Sequence, residues 1–249
     1  IDGREEAPGK AHADMYLDKN GEVDRDKALY GPLAAGIPGE IAGLEHLSIN
    51  YGNLPLSVSL QPAIEAAENG FKAYPRIIRH IKNKAKILKR YPASMAVYMP
   101  DGKVPKVGDL IVQKDLAKTL KTVAKYGKKG FYEGNVAKKM VKAVQKNGGI
   151  WTLADLKNYQ IKERQPITTH YQGYQLVTAA PPSSGGIAIA TILNVLSAWD
   201  LTTLDKDKRI HLVTEAMRRA YRDRSIYLGD PDFVDIPTQL LTHPYYAEG

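Results

Sequence analysis

The segment 187–196, Ile-Ala-Ile-Ala-Thr-Ile-Leu-Asn-Val-Leu, constrains the fold of this chain more than any other. It is apolar on nearly every side of a helix, and a helix without a polar face belongs in a core. It follows the run Pro181-Pro182-Ser183-Ser184-Gly185-Gly186, which comes after two segments, 161–169 and 174–179, with the composition of paired strands. The end of the chain is therefore predicted to combine a strand pair with a buried helix.

Helical periodicity dominates the rest of the chain. The segment 61–69 has a proline near its first turn and a glycine just past its end, and 76–91 is basic and amphipathic. We expect these two helices to flank one apolar layer, and 94–109, with its prolines, to form a loop or a short hairpin. The predicted helices are one that ends at Gly52, then 61–69, 76–91, 113–126, 134–147, 153–158 capped by Thr152, 187–196, and 209–228 with Val213, Ala216, Met217 and Ala220 buried.

The net charge of +8 does not indicate a nucleic-acid partner, because of how it is distributed. Residues 113–147 contain ten lysines and only Asp115 and Glu133 as acids. The lysines lie opposite the apolar positions of two predicted helices, which is typical of a solvated face. Nucleic-acid readers usually add arginines and stacking aromatic side chains, and this run has no arginine and only Tyr126, Phe131 and Tyr132 as aromatic residues. We therefore expect no nucleic-acid partner.

The composition places the chain among globular proteins that bury a substantial core, with 249 residues of which 43% are hydrophobic. It contains no apolar run of 18 residues, so we expect no membrane span. The absence of cysteine excludes disulfides and thiolate metal sites. The first ten residues are too polar for a signal peptide, so the compartment is not readable from this stretch.

Two local patterns are weak candidates for chemistry. The Ser183-Ser184-Gly185-Gly186 turn could bind an anion through its backbone N–H groups, but it lacks the G-x-S-x-G pattern of a serine nucleophile. A helix cap with close packing is the better interpretation. His211 and Glu215 stand four apart, as two metal ligands could, but no third ligand is near in the sequence. We favour an intrahelical hydrogen bond or a buried polar network there, and predict no metal site.

Arg4 is the strongest candidate for substrate binding. A guanidinium is always charged, and its planar fork of donors matches a carboxylate bidentately. Arg4 stands in the run Asp2-Gly3-Arg4-Glu5-Glu6-Ala7-Pro8. From these residues alone, a surface arginine paired with Glu5 or Glu6 is the favoured interpretation.

Several motifs together resemble one family. The first seven-residue run matches the pattern D-x-R-E-x-A-P, and further matches are spread along most of the chain. They are Gly36-x-Pro38-Gly39-x-x-x-Gly43, Pro181 to Gly186, His211-x-x-x-Glu215-Ala216-Met217-Arg218-x-Ala220-Tyr221-x-Asp223-Arg224, and Tyr227 to Phe233. The chain resembles the later part of the large subunit of a γ-glutamyltranspeptidase, also called glutathione hydrolase.

The resemblance implies a fold and a mechanism. The fold is α+β, the αββα sandwich of N-terminal-nucleophile hydrolases, of which this portion is mostly helical with a few strands. We expect one domain, 1–249, with a helical lobe over about 36–160. In the family, the arginine of the D-x-R-E-x-A-P pattern grips the α-carboxylate of a γ-glutamyl donor such as glutathione. The resemblance implies this role for Arg4. The nucleophile is the N-terminal threonine of a small subunit, released by self-cleavage of a zymogen.

The same resemblance implies the partners and the compartment. No cofactor is needed, and the acyl group passes to water or to an amino-acid or peptide acceptor. This chain would carry no catalytic residue itself, would form a heterodimer with the small subunit, and would be inactive alone. The family resemblance suggests the periplasm or secretion.

Thr168-Thr169-His170-Tyr171 resembles the family's self-cleavage sequence T-T-H-[FY]-S, but we reject that identification. Gln172 stands where the family has serine, and the segment precedes Pro181 to Gly186, which in the family lie before the cleavage point. A strand in a hairpin is the simpler interpretation. Two other functions stay open: a related acylase of the cephalosporin type, and a non-catalytic binding fragment.

Overall fold

The computed structural model describes residues 1–248 and contains the expected mixture of many helices and a few strands. The helices are α1 (Arg25–Leu29), α2 (Glu40–Asn50), α3 (Leu56–Ser59), α4 (Gln61–Asn69), α5 (Pro75–Leu88), α6 (Pro92–Tyr98), α7 (Lys114–Tyr126), α8 (Lys129–Tyr132), α9 (Gly134–Lys146), α10 (Leu153–Asn158), α11 (Gly185–Leu196), α12 (Lys206–Tyr227), α13 (Thr238–Leu241) and α14 (Pro244–Glu248). The strands are β1 (Phe71–Lys72), β2 (Leu110–Ile111), β3 (Ile167–Tyr171) and β4 (Tyr174–Thr178).

The chain divides into two compact units, Ile1–Lys162 and Glu163–Gly249. The predictions of a single domain 1–249 and of a helical lobe over 36–160 stay predictions. Among residues 1–248, no helix is long and apolar enough to cross a membrane.

The first unit is built around three apolar clusters. The largest contains Ile37, Ala42, Tyr132, Ala137, Val141, Trp151, Leu156 and Tyr159. Helix α10 joins it through Leu156 and begins with the predicted cap, because the Thr152 hydroxyl accepts from Asp155 N–H at 3.2 Å and the Asp155 carboxylate accepts from Thr152 N–H at 2.7 Å. The lysines of α7 and α9 are exposed, as predicted.

The expectation that 61–69 and 76–91 flank one apolar layer is wrong. Helix α4 contributes Ile64 to a cluster with Leu60 and Val123 of α7. Helix α5 contributes Ile81 to a different cluster, which Met99 and β2 complete. Sequence periodicity identifies which face of a helix is apolar, but it carries no information about which partner covers that face.

The segment 94–109 is also more ordered than predicted. Pro92 begins helix α6, and a 3₁₀ turn, Pro100–Gly102, follows it. Met99 between them is 1% exposed, so apolar burial stabilises a helix in a stretch that its prolines had marked as a loop.

The second unit begins with the predicted hairpin. Strands β3 and β4 pair antiparallel, with Ile167 opposite Thr178 and Tyr171 opposite Tyr174. Gln172 and Gly173 have φ of 47° and 82°, the two positive values that a tight hairpin turn requires. The hairpin interpretation of 168–171 is therefore confirmed.

Helices α11 and α12 pack on each other and complete this unit. Ile187, Ala190 and Thr191 of α11 are buried, as predicted, although Ile189 is 43% exposed. On α12 the buried residues are Ala216, Ala220 and Asp223, which lie along one stripe, whereas Met217 is 44% exposed. The predicted burial of Met217 is therefore wrong.

Candidate functional site

Arg4 lies in the middle of a segment that is fastened at both ends within the first unit. We call residues 2–6 the Arg4 segment. At one end, Asp2 pairs antiparallel with Lys162 through hydrogen bonds of 2.7 and 3.0 Å. At the other end, Glu6 pairs with Ile37 through hydrogen bonds of 3.1 and 2.8 Å. The backbone of Arg4 is thus held by neighbours that are distant in the sequence.

Tyr159 fixes the centre of the Arg4 segment. Its hydroxyl donates to the Arg4 carbonyl oxygen at 2.6 Å. Its ring stacks on that of Tyr132, with centroids 5.6 Å apart and planes 6° from parallel. The Tyr132 hydroxyl in turn donates to the Pro38 carbonyl at 2.8 Å and accepts from Ala42 N–H at 3.3 Å. The tyrosine pair therefore ties Arg4 to the start of α2.

Both tyrosine hydroxyls keep their protons over the physiological pH range. Burial raises the pKa of Tyr132 to about 12. Burial, assisted by the negative charges of Glu6, Asp2 and Glu5, raises the pKa of Tyr159 to about 12 as well. Each hydroxyl is therefore a permanent donor to its carbonyl.

The glycines of Gly36-x-Pro38-Gly39-x-x-x-Gly43 allow the Arg4 segment to approach α2 closely. A Cβ on Gly39 would collide with the Tyr159 hydroxyl and with the Gly3 carbonyl oxygen. A Cβ on Gly36 would lie 2.9 Å from the Glu5 side chain. Only glycine fits at Gly39 without displacing the Tyr159 hydroxyl that holds Arg4.

A further anchor lies just beyond the Arg4 segment. Gly9 N–H donates to Asp155 Oδ1 at 3.0 Å. Burial acts to raise the pKa of Asp155, but the hydrogen bonds from Gly9 and Thr152 outweigh it and leave that pKa below its usual value. Asp155 therefore holds both the α10 cap and the chain that follows the Arg4 segment as an ionised group.

The Arg4 side chain itself is exposed. Within residues 1–248 its guanidinium forms no ion pair and no hydrogen bond, so the alternative of a pair with Glu5 or Glu6 is not formed. The site thus combines a fixed backbone with an unengaged cation. Such an arrangement can bind a carboxylate without first breaking an internal salt bridge.

The other sequence candidates have structural roles. Ser184 Oγ accepts from Arg224 Nε at 3.1 Å and does not bond to the start of α11, so the expected side-chain cap is absent. The expected close packing is present, because a Cβ on Gly186 would collide with the Ala179 carbonyl.

His211 and Glu215 lie about one turn apart on α12. Glu215 forms an intrahelical ion pair with Arg218 at 2.7 Å, and within residues 1–248 no hydrogen bond joins it to His211. Among residues 1–248, no three His, Cys, Asp or Glu side chains are grouped as metal ligands would be.

Comparison with known proteins assigns the family. The family model described as Gamma-glutamyltranspeptidase matches residues 1–249. The chain belongs to this family. The resemblance that the motifs indicated is therefore confirmed.

Two curated relatives match this chain in sequence over its whole length. The glutathione hydrolase proenzyme of Escherichia coli (strain K12) is 41% identical over 100% of this chain and 43% of its own length. The acylase ACY 1 proenzyme of Pseudomonas sp. (strain V22) is 36% identical over 100% of this chain and 46% of its own length. The chain thus spans less than half of the length of these curated relatives.

A solved structure of the family confirms the fold class. The γ-glutamyltranspeptidase of Helicobacter pylori superposes with a TM-score of 0.96 at 44% identity, covering 99% of this chain and 72% of that one. The described residues therefore have the fold of the family's large-subunit portion, an α+β N-terminal-nucleophile hydrolase fold that is mostly helical here.

Sequence reasoning missed Tyr159 and Tyr132. The hydrogen bond from Tyr159 spans 155 positions, and Tyr159 stands in none of the motifs that carried the family resemblance. The one local signal for this site was the glycine-rich pattern that begins at Gly36. Such a pattern is compatible with close approach of another part of the backbone, but it does not identify which part.

Proposed function

We propose that this chain is the large-subunit part of an enzyme that cleaves the γ-glutamyl amide of glutathione and related donors. The acyl group passes to water or to the amine of an amino acid. The observation that carries the proposal is the exposed, unpaired guanidinium of Arg4 on a backbone fixed by Tyr159. Family membership supplies the class of chemistry.

Arg4 binds the α-carboxylate of the donor in this proposal. Two parallel N–H···O bonds to a carboxylate fix both its distance and its orientation. The γ-carbonyl carbon is thereby placed for attack, and Arg4 contributes binding and orientation rather than bond breaking.

The nucleophile is a threonine hydroxyl at the N-terminus of a small subunit. Its own α-amine takes the proton as the oxygen attacks the amide carbon, and the amine of the donor leaves with a proton. Water or an acceptor amine then attacks the acyl-enzyme ester and regenerates the threonine. The described residues contribute the donor-binding cation, and we expect this chain alone to be inactive.

Tyr159 is a positioning residue in this scheme. It does not touch the donor, but it holds the carbonyl of the residue that does. A rigid backbone lowers the entropy lost when the donor orders the Arg4 side chain.

The heterodimer and the compartment belong to the same proposal. The relatives are named as proenzymes, which supports a precursor that is processed into two chains. The periplasm or the cell exterior follows from the family resemblance. Intact-mass spectrometry with N-terminal sequencing of polypeptides that co-purify with this chain tests the partner. A second chain that begins with threonine is expected, and purification of this chain alone as the mature form contradicts the heterodimer.

The test of Arg4 is kinetic. In the assembled enzyme, Arg4→Ala is expected to raise KM for γ-glutamyl-p-nitroanilide about 10- to 100-fold and to change kcat far less, since a charge-assisted hydrogen bond contributes about 1.5 to 3 kcal/mol. Arg4→Lys keeps the charge without the fork, so an intermediate KM is expected. An unchanged KM in Arg4→Ala removes Arg4 from the site.

A related acylase activity is the second candidate, favoured by the 36% identity to an acylase proenzyme. The two are separated by substrate. Turnover of γ-glutamyl-p-nitroanilide with no turnover of a glutaryl amide supports the first function, because only the γ-glutamyl group carries an α-carboxylate beside an amine. The reverse result supports the acylase.

A further inference from the structure

The small sheet of β1 and β2 in the first unit has an outer face that the proposed function does not use. Phe71 pairs with Ile111 and Lys72 pairs with Leu110. Ile111 is 2% exposed and Ala73 is 2% exposed, so these side chains point into the core. Because successive strand residues alternate between faces, Lys72, Tyr74 and Leu110 share the outer face.

Apolar side chains on this outer face are exposed to solvent. Tyr74 is 52%, Val107 60% and Leu110 57% exposed. Val107 lies at the tip of the turn that leads into β2, where Asp109 N–H donates to the Lys106 carbonyl at 3.1 Å and Gly108 N–H donates to the Ala73 carbonyl at 2.8 Å. The ladder thus brings the turn next to the backbone that carries Tyr74.

The stretch of chain that carries these apolar side chains is rich in cations. Residues 70–112 contain ten lysines and arginines but only Asp101 and Asp109 as acids. All ten cations are exposed. Arg90 is engaged by Asp26, whereas the side chains nearest in sequence to the ladder form no ion pair within residues 1–248. These are Lys72, Arg76, Lys103 and Lys106, which together with Tyr74, Val107 and Leu110 we call the ladder surface.

We propose that the ladder surface docks on a bilayer rich in anionic lipid. Unpaired lysines and arginines are attracted to anionic headgroups, and each contributes when it lies within a Debye length of them. Exposed aliphatic side chains at a turn tip insert below the headgroups, and a tyrosine ring is favoured at the boundary between apolar and aqueous regions. The ladder surface supplies all three components.

The chemistry of the ladder surface favours lipid over nucleic acid. Single-strand binding needs a series of aromatic platforms, and Tyr74 is the one exposed aromatic residue of the ladder surface. A lipid headgroup needs only positive charge and a place for apolar side chains to insert. A nucleic acid or a polysaccharide is therefore the alternative that the experiment has to separate.

Helix α9 provides a matched control surface within the same unit. Lys138, Lys142 and Lys146 are exposed and follow one stripe of the helix. Residues 113–147 have ten lysines against two acids, the same charge balance as 70–112. Among the described residues of α9, no large apolar side chain is exposed. If general positive charge were sufficient, both surfaces would bind equally.

Co-sedimentation of the assembled enzyme that contains this chain with phosphatidylglycerol vesicles tests the proposal. Binding is expected at low salt, with none to phosphatidylcholine vesicles and a steep decline as NaCl rises. The triple variant Lys72→Glu, Arg76→Glu, Lys106→Glu is expected to lose at least about 100-fold in partition coefficient, because each cation near an anionic surface contributes about a fivefold factor. The α9 variant Lys138→Glu, Lys142→Glu, Lys146→Glu is expected to lose less than about tenfold from the change in net charge.

A second variant tests the apolar component without changing the charge. Val107→Ser with Leu110→Ser is expected to lower vesicle binding about tenfold and to leave binding to heparin and to single-stranded DNA unchanged. Circular dichroism establishes that each variant keeps its helix content. Equal losses in the ladder and α9 variants, binding to heparin or DNA but not to vesicles, or no vesicle binding by the parent enzyme would each overturn the proposal.

Discussion

The Arg4 segment and the Ser183–Gly186 turn looked similar in the sequence, since each places polar side chains beside glycines, but the structure uses them in opposite ways. In the Arg4 segment the backbone is hydrogen-bonded at Asp2, Arg4 and Glu6 while the Arg4 side chain is unengaged. In the turn the Ser184 hydroxyl is already occupied by Arg224. The Arg4 guanidinium is held on a fixed backbone and has no internal partner, so it is suited to binding a ligand. The Ser184 hydroxyl already has an internal partner, so its role is structural.

The largest effect is expected at the close approach beneath Arg4. Gly39→Ala forces a methyl group against the Tyr159 hydroxyl and the Gly3 carbonyl. Overpacking of this kind costs about 3 kcal/mol, so the denaturant midpoint should fall and KM for the donor should rise. Gly185→Ala is the control, because its Cβ would meet only Ser183 Oγ at 3.7 Å. Equal losses in both variants would mean that the approach at Gly39 is not special.

Removal of the Tyr159 hydroxyl is expected to have a smaller effect. Tyr159→Phe keeps the stacked ring but leaves the Arg4 carbonyl without its donor, at a cost of about 1 to 2 kcal/mol. KM should rise severalfold while kcat changes little. Tyr132→Phe is the matched control, since it removes a hydroxyl that bonds to Pro38 and not to Arg4. A positioning role for Tyr159 is excluded if both variants lose stability alike and neither changes KM.

Ser184→Ala is expected to change little. It removes one exposed hydrogen bond from Arg224, which contributes about 0.5 kcal/mol, and the turn keeps its backbone. Steady-state kinetics of the assembled enzyme should give kcat and KM within about twofold of the parent. A large loss of kcat would contradict the structural role of the Ser183–Gly186 turn and would place the turn in the reaction.

The smallest effect is expected for self-cleavage in Thr169→Ala. Thr169 is a β3 residue that is 6% exposed, so the substitution removes packing from a hairpin and not a nucleophile. Gel electrophoresis of the precursor should show the parent rate of processing, with circular dichroism as the check on folding. Loss of processing in a folded variant would reverse the hairpin interpretation.

Local signals in the sequence predicted much of the secondary structure. Proline and glycine bounded α4 correctly, Thr152 capped α10, and two segments with the composition of strands formed the hairpin. Each of these depends on residues within one or two turns of chain. Errors occurred where partners were distant: α4 and α5 enter separate clusters, and 92–98 is helical although its prolines indicated a loop, because its partly buried apolar side chains pack against the cluster of Ile81 and Met99.

The sequence by itself determined the family, through motifs spread over most of the chain, and it selected Arg4 as the candidate cation. Only the tertiary structure decided that this cation is unpaired within residues 1–248 and that Tyr159 and Gly39 hold its backbone. The physical reason is range. Charge and backbone preference belong to a residue and its neighbours in the chain, whereas a hydrogen bond that spans 155 positions exists only after folding has brought its two ends together.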